Sequence, residues 1–299
     1  MRTRAVVALL ASVLCGAVVV PASAQYFGQN QVQYRDFDFA VLKTAHFDVY
    51  YYPEEKLQAE EVARLAERWY ERFSRLFQHQ MKDRQPVMLY ASPADFRQTN
   101  IVYGLGEGTG GVTESFRRRI VMPSAGALAE TDHVLGHELV HAFQYDVSSR
   151  RGRQEVQGGA GFERLPLWFV EGMAEYLSLG PADSQTAMWL RDALQSKKLP
   201  TLKQLGNPRF FPYRYGHAFW AYVGGRWGDD KVIELFREGS RSGNAIAAIK
   251  KVLGEDEKTF SKGWGDSVRA TYAGFLEANK DAADYGPLLI GRQRGGGEL

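Results

Sequence analysis

The chain is nearly without cysteine. Its one thiol, Cys15, lies inside the apolar run from Ala5 to Val20, which is preceded by Arg2 and Arg4 and followed by Pro21-Ala22-Ser23-Ala24, an A-x-A cleavage pattern. These features read as a secretory signal peptide cut after Ala24. A lipoprotein signal sets a small residue directly before its cysteine, whereas here Leu14 precedes Cys15 and the apolar run continues past it. The expected mature chain has no thiol, which excludes a disulfide framework, thiolate catalysis and cysteine-held metal. Any metal must be bound by imidazoles and carboxylates, and histidine is scarce as well, at 6 in 299 residues. Beyond the leader no stretch approaches the ~20 apolar residues that a span needs. No membrane span is therefore expected after signal cleavage, and the protein is expected to be secreted or periplasmic.

An excess of charge of one sign is also absent. The formal net charge of +2 favours no class of partner. Arg117-Arg118-Arg119 and Arg150-Arg151-Gly152-Arg153 are basic clusters, but without interleaved aromatics they read as solvated surface and not as a nucleic-acid site. No internal repeat is present. With 44% hydrophobic and 24% charged residues, the mature chain can bury one large core, or two lobes sharing a cleft.

Along the chain, residues 25–36 are polar and read as an extended arm. His46 to Tyr52 alternates like a strand and stops at Pro53. From Glu54 to Gln80, Leu57, Val62, Leu65, Trp69, Phe73, Leu76 and Phe77 recur at helical spacing. Pro86 to Ala91 and Thr113 to Met122 read as strands, with a glycine-rich loop from Tyr103 to Val112 between them. Ala127 to Tyr145 and Pro166 to Leu179 are helical in pattern, separated by a Gly/Arg-rich loop from Ser148 to Glu163. Further helices are expected at Ala182 to Leu194, Tyr213 to Trp227, Asp229 to Glu238, Asn244 to Leu253 and Lys258 to Asn279. The order implies an α+β fold. One domain is expected over 37–285, with a β-containing lobe at 37–147, which includes the helix from Ala127, and a helical lobe at 164–285. Residues 286–299 read as a Gly-rich tail or linker.

His137-Glu138-Leu139-Val140-His141 is an HExxH motif. On a helix, positions i and i+4 share a face, so both imidazoles reach one ion and Glu138 stands beside them as a general base. A catalytic zinc takes three protein ligands and keeps one position open. Downstream, the apolar segment Leu167-Trp168-Phe169-Val170-Glu171-Gly172-Met173-Ala174-Glu175-Tyr176 carries two carboxylates one turn apart. A buried acid is costly unless it is paired or bound to metal. Glu171 is thus the candidate third ligand, and Glu175 a candidate for fixing the tautomer of a ligating histidine. His133 shares the face but lies eight residues before His141, about 12 Å of helix rise, too far for one ion.

HExxH followed by W-x-x-E-G-x-A-E resembles the gluzincin metallopeptidases, especially their MA-like peptidase domains and the aminopeptidase group. The resemblance implies a zincin-like fold: an N-terminal lobe of mixed sheet and helix containing the active-site helix, then an α-helical C-terminal lobe. It implies one Zn2+ held by His137, His141 and Glu171, with Glu175 supporting His137. Gly110-Gly111-Val112-Thr113-Glu114 resembles the family's substrate-lining edge strand, which implies that Gly111, Val112 and Thr113 pair with a peptide or protein substrate. Tyr213-Arg214-Tyr215-Gly216 resembles a Y-x-x-G segment whose tyrosine stabilises the oxyanion. The residues leave Tyr213, Tyr215 and His217 as candidates for that role, with Tyr213 best matching the spacing. The chain departs from the family in its long interval of 29 residues between His141 and Glu171.

The expected chemistry is hydrolysis of a peptide bond by a metal-activated water, with Glu138 as base and then acid. Two alternatives stand beside it. In an aminopeptidase, an acid such as Glu114 would anchor the free amine of the substrate. In an exported binding module the zinc would be structural, although such sites use four protein ligands, usually including cysteine.

Overall fold

A computed structural model of the chain describes residues 33–101, 105, 108–114, 118–124, 126–148, 164–280 and 282–287. The expected signal peptide, most of the loop after Ser148 and the tail from residue 288 lie outside the described residues. The architecture is α+β: a small mixed sheet followed by a helical half.

Five strands form the sheet: β1 (Ala40–Lys43), β2 (Phe47–Tyr51), β3 (Gln85–Tyr90), β4 (Val112–Thr113) and β5 (Ile120–Pro123). Their order is β1-β2-β3-β5-β4. The inner pairs β2–β3 and β3–β5 are parallel, and both outer pairs are antiparallel. Alternation along the strands divides their side chains between two faces. Phe47, Val49, Val87, Leu89, Ile120 and Met122 join the main core, whereas Tyr52, Tyr90 and Val121 form a second cluster with Phe37 and Phe39.

The strand expected from Thr113 to Met122 is not continuous. It is a hairpin, in which β4 and β5 pair antiparallel and the Glu114 N–H donates to the Arg119 carbonyl. The chain reverses after Glu114, and Arg118 takes a positive φ of 53° that breaks strand geometry. β1 was also unforeseen; its burial is slight, so it carries little hydrophobic signal. Arg118 and Arg119 are ion-paired with Asp146 and Glu114, respectively.

The helices are α1 (Lys56–Leu76), α2 (Pro93–Phe96), α3 (Leu128–Ser148), α4 (Leu167–Leu179), α5 (Ser184–Gln195), α6 (Pro212–Trp227), α7 (Asp229–Ser242), α8 (Ala245–Leu253), α9 (Glu257–Ala278) and α10 (Ala282–Tyr285). Side-chain caps start several of them: Asp183 accepts from Thr186 N–H, Asn244 from Ala247 N–H and Asp256 from Thr259 N–H. Gly243 and Gly254 close α7 and α8 in the left-handed conformation. Leu57, assigned to the apolar face of α1, is exposed, while Val62, Leu65, Trp69 and Phe73 are buried. One continuous core runs from Phe47 in β2 to Val268 in α9. Among the described residues no helix is long and apolar enough to cross a membrane.

Candidate metal centre

Helix α3 is buried on every side over its middle: Leu135 through Gln144 are all buried. It packs between α1, the β4–β5 hairpin and α4. His137 and His141 leave it on the face turned to α4, where Glu171 opens the second turn. His137 Nε2 and His141 Nε2 are 3.1 Å apart, and Glu171 Oε2 lies 3.2 Å from the first and 3.1 Å from the second. Three donors bound at 2.0–2.1 Å around a tetrahedral ion would stand roughly 3.3 Å apart. The two nitrogens and the oxygen therefore fit one ion in separation and in donor type. Among the described residues, two groups of His and Glu could hold a metal: this one, and His133, His137 and Glu175 on the Nδ1 side of His137.

Each histidine is oriented through its other nitrogen. Glu175 Oε1 lies 3.0 Å from His137 Nδ1. Gln144, one turn after His141, places Oε1 2.8 Å from His141 Nδ1, and its Nε2 donates to the Val170 carbonyl. With both Nδ1 atoms engaged, both Nε2 lone pairs can face the ion. Arg214 Nη1 donates to Glu175 Oε2 at 2.7 Å and contacts Asp183 at 3.3 Å. His133 Nε2 lies 3.5 Å from Glu175 Oε1. The neighbouring Asp132 is engaged by Arg68 and by the Trp69 indole.

The electrostatics of the metal-free cluster follow from these contacts. Burial lowers the pKa of His137, but Glu171 and Glu175 outweigh it and raise the imidazole to about 10. His141 is lowered by burial and raised on balance by Glu171. For Glu171 and Glu175, burial acts upward, yet the neighbouring histidines hold both carboxyls well below the usual range. The pairing of these groups favours the charged form of each. Ligation requires the imidazoles to be neutral, so metal and protons compete for them.

Glu138 stands beside the cluster. The Thr113 hydroxyl donates to Glu138 Oε2 at 2.7 Å and contacts its backbone carbonyl at 2.9 Å. Gly111 lies against the same side chain: a Cβ there would be 3.0 Å from Glu138 Cγ and 3.1 Å from Oε1. Val112 and Thr113 form the edge strand β4, with β5 as its strand neighbour.

Tyr213 is the one oxyanion candidate that reaches the cluster. Its ring stacks on His137 with centroids 5.9 Å apart, within electrostatic reach of Glu171. Burial first, then Glu171 and Glu138, push its pKa well above the ordinary tyrosine value. Tyr215 is buried against Phe210 and Trp189, and His217 donates from Nε2 to the Gly180 carbonyl.

Two glycines set this convergence. A Cβ on Gly172 would stand 2.3 Å from the Gly216 carbonyl carbon, and one on Gly216 only 2.1 Å from the Trp168 carbonyl oxygen. The backbones of α4 and α6 thus touch, next to Glu171 and one turn after Tyr213.

The fold and the cluster define an α+β protein with a buried group of two histidines and a glutamate that could hold a metal ion, and a second carboxylate held beside it. A protein-family profile described as a family of unknown function, DUF6055, matches residues 51–272, and the chain belongs to that family. Comparison with curated proteins returns no match.

Sequence reasoning singled out His137, Glu138, His141, Glu171, Glu175, Thr113 and Tyr213, all of which meet here. It missed Gln144 and Arg214. Gln144 could have been found as the polar residue three positions after His141 on a helix otherwise apolar around it. Arg214 sits inside a quoted segment, but nothing local ties it to Glu175.

Proposed function

We propose that the chain is an exported zinc-dependent peptidase of the gluzincin type, with a zincin-like fold and one Zn2+ held by His137, His141 and Glu171. The observation that carries this reading is the mutual approach of those three donors to 3.1–3.2 Å beside a fixed carboxylate. Two imidazoles and one carboxylate form a donor set of catalytic zinc, with a coordination position left for substrate. The signal peptide expected from the sequence would place this work outside the cell or in the periplasm.

Zinc bound there would supply Lewis acidity, polarising the scissile carbonyl and lowering the pKa of water to about 7. The residues of the chain supply the remainder. Glu138, fixed through Oε2 by Thr113, keeps Oε1 to take the proton of the attacking water and deliver it to the leaving amine. Tyr213 keeps its proton at neutral pH and donates it in a hydrogen bond to the oxyanion. Glu175, held by Arg214, fixes the His137 tautomer. Edge strand β4 offers backbone groups to an extended peptide.

Endopeptidase action is favoured over aminopeptidase action because Arg119 already pairs with Glu114 at 3.0 Å. Its carboxylate is engaged and not free to bind an amine. The test is elemental analysis of the purified mature chain together with a peptide library in which N-termini are free or acetylated. Near-stoichiometric zinc and cleavage of both halves of the library are expected. Zinc-loaded protein that cleaves neither would end the peptidase reading, and cleavage of the free half alone would restore the aminopeptidase.

A further inference from the structure

Gln144 is fully buried on α3, three residues after His141, and takes no part in the mechanism above. Both ends of its amide are engaged. Nε2 donates to the Val170 carbonyl of α4 at 3.2 Å, and Oε1 lies 2.8 Å from His141 Nδ1. Val170 directly precedes Glu171, whose Oε2 lies 3.1 Å from His141 Nε2. One side chain therefore joins an imidazole on one helix to the backbone beside the carboxylate on the next.

The sense of the second bond follows from the first. A backbone carbonyl has no proton to give, so it must face the NH2 end of the amide. Turning the amide over would set Oε1 against the carbonyl oxygen, acceptor against acceptor, in the core. With NH2 fixed on Val170, Oε1 faces His141 and can only accept, so Nδ1 must carry the hydrogen. A neutral imidazole has one N–H, and its lone pair is thereby left on Nε2, the atom turned to Glu171. His137 differs, because its Nδ1 partner is the carboxylate of Glu175. An ionised carboxylate accepts through either oxygen and needs no backbone contact to set the tautomer.

We propose that Gln144 is a positioning residue through which the docking of α4 sets His141 in the tautomer that binds metal. When α4 seats against α3, Glu171 comes to His141 Nε2 and the Val170 carbonyl orients the amide. Without that carbonyl the amide could present either end to His141. Its NH2 end would favour the tautomer with hydrogen on Nε2 and the lone pair facing away from the ion. The third ligand and the working tautomer of the second thus arrive in one event.

This inference rests on the metal centre proposed above, and its test needs no turnover. Zinc affinity is measured by chelator competition on the purified mature chain and on two variants. Gln144→Met keeps an unbranched, buried side chain but loses the acceptor, and it should bind zinc about 10–100-fold more weakly. Gln144→Glu keeps an acceptor for Nδ1 in either protonation state and should restore most of that loss. A side chain that only ties the helices together would leave both variants equally impaired. In the zinc-loaded wild type, ¹⁵N NMR should show two metal-shifted imidazoles protonated at Nδ1, which keeps the proposal testable if a variant fails to fold. Gln144→Met binding at wild-type strength, Gln144→Glu as weak as Gln144→Met, or only one such imidazole would overturn it. Wild type that binds no zinc would instead remove the metal centre itself.

Discussion

A methyl group at position 111 would stand 3.1 Å from Glu138 Oε1, the oxygen left free by the Thr113 bond to Oε2. Gly111→Ala should therefore displace the base while leaving the three donors in place. A full ångström of misplacement can cost about 10²-fold, so a smaller shift should lower kcat by up to about tenfold with zinc content intact in steady-state kinetics; unchanged kcat would detach β4 from the chemistry. Tyr213→Phe removes one donor from the site. It should reduce kcat by roughly 10²–10³ with KM nearly unchanged, and a change confined to KM would instead make Tyr213 a binding residue. At this scale the sequence revealed side chains whose chemistry has a spacing rule. His137 and His141 share a helix face, and Glu171 and Glu175 stand out as acids in an apolar helix. Gln144 and Arg214 obey no such rule, because their partners are fixed by packing: Gln144 also reaches the Val170 carbonyl, and Arg214 reaches Glu175 from another helix.

Among the elements, the contact between α4 and α6 is the most demanding. Gly216→Ala would force its new carbon into the Trp168 carbonyl unless the helices separate. Overpacking of this kind costs about 1–3 kcal/mol or more, and separation would carry Tyr213 away from His137. A lowered thermal midpoint and reduced kcat should therefore appear together, and activity at wild-type level with the variant fully folded would count against the link. The start of α1 carries a different sensitivity. Glu55 is buried, and burial, opposed by the Tyr52 N–H and assisted by Asp95 and Glu54, raises its carboxyl from 4.5 to about 8. Below pH 4.5 both folded and unfolded chains hold this proton. Between 4.5 and 8 only the folded chain keeps it, so the Glu55 contribution to stability falls with rising pH, by up to about 1.4 kcal/mol per unit. Urea denaturation should show Glu55→Gln gaining on wild type from pH 5 to pH 8; a constant gap would mean that Glu55 ionises normally. Long helices were legible because their apolar residues recur over many turns. The β4–β5 hairpin was not, since two- and four-residue strands show too little alternation to reveal a reversal between them.

Across the whole molecule, the donors of the centre come from two helices, with α3 supplying the histidines and α4 the carboxylate. An ion there clips these helices together and stabilises only the folded state. Chelation should lower the thermal midpoint and zinc should restore it, as read by calorimetry at fixed pH; a midpoint indifferent to both would argue that no metal is held. The α+β order was legible because strand-like and helix-like periods occupy successive stretches of the chain. Which residues join the two halves was not, since contacts such as Phe77 with Phe236 link positions far apart in sequence. The most direct test of the account is peptide cleavage by zinc-loaded wild type and Glu138→Gln side by side. The account predicts equal zinc and equal folding, with turnover in the variant reduced by about 10²–10⁴. A folded, zinc-loaded Glu138→Gln that cleaves at the wild-type rate would contradict it.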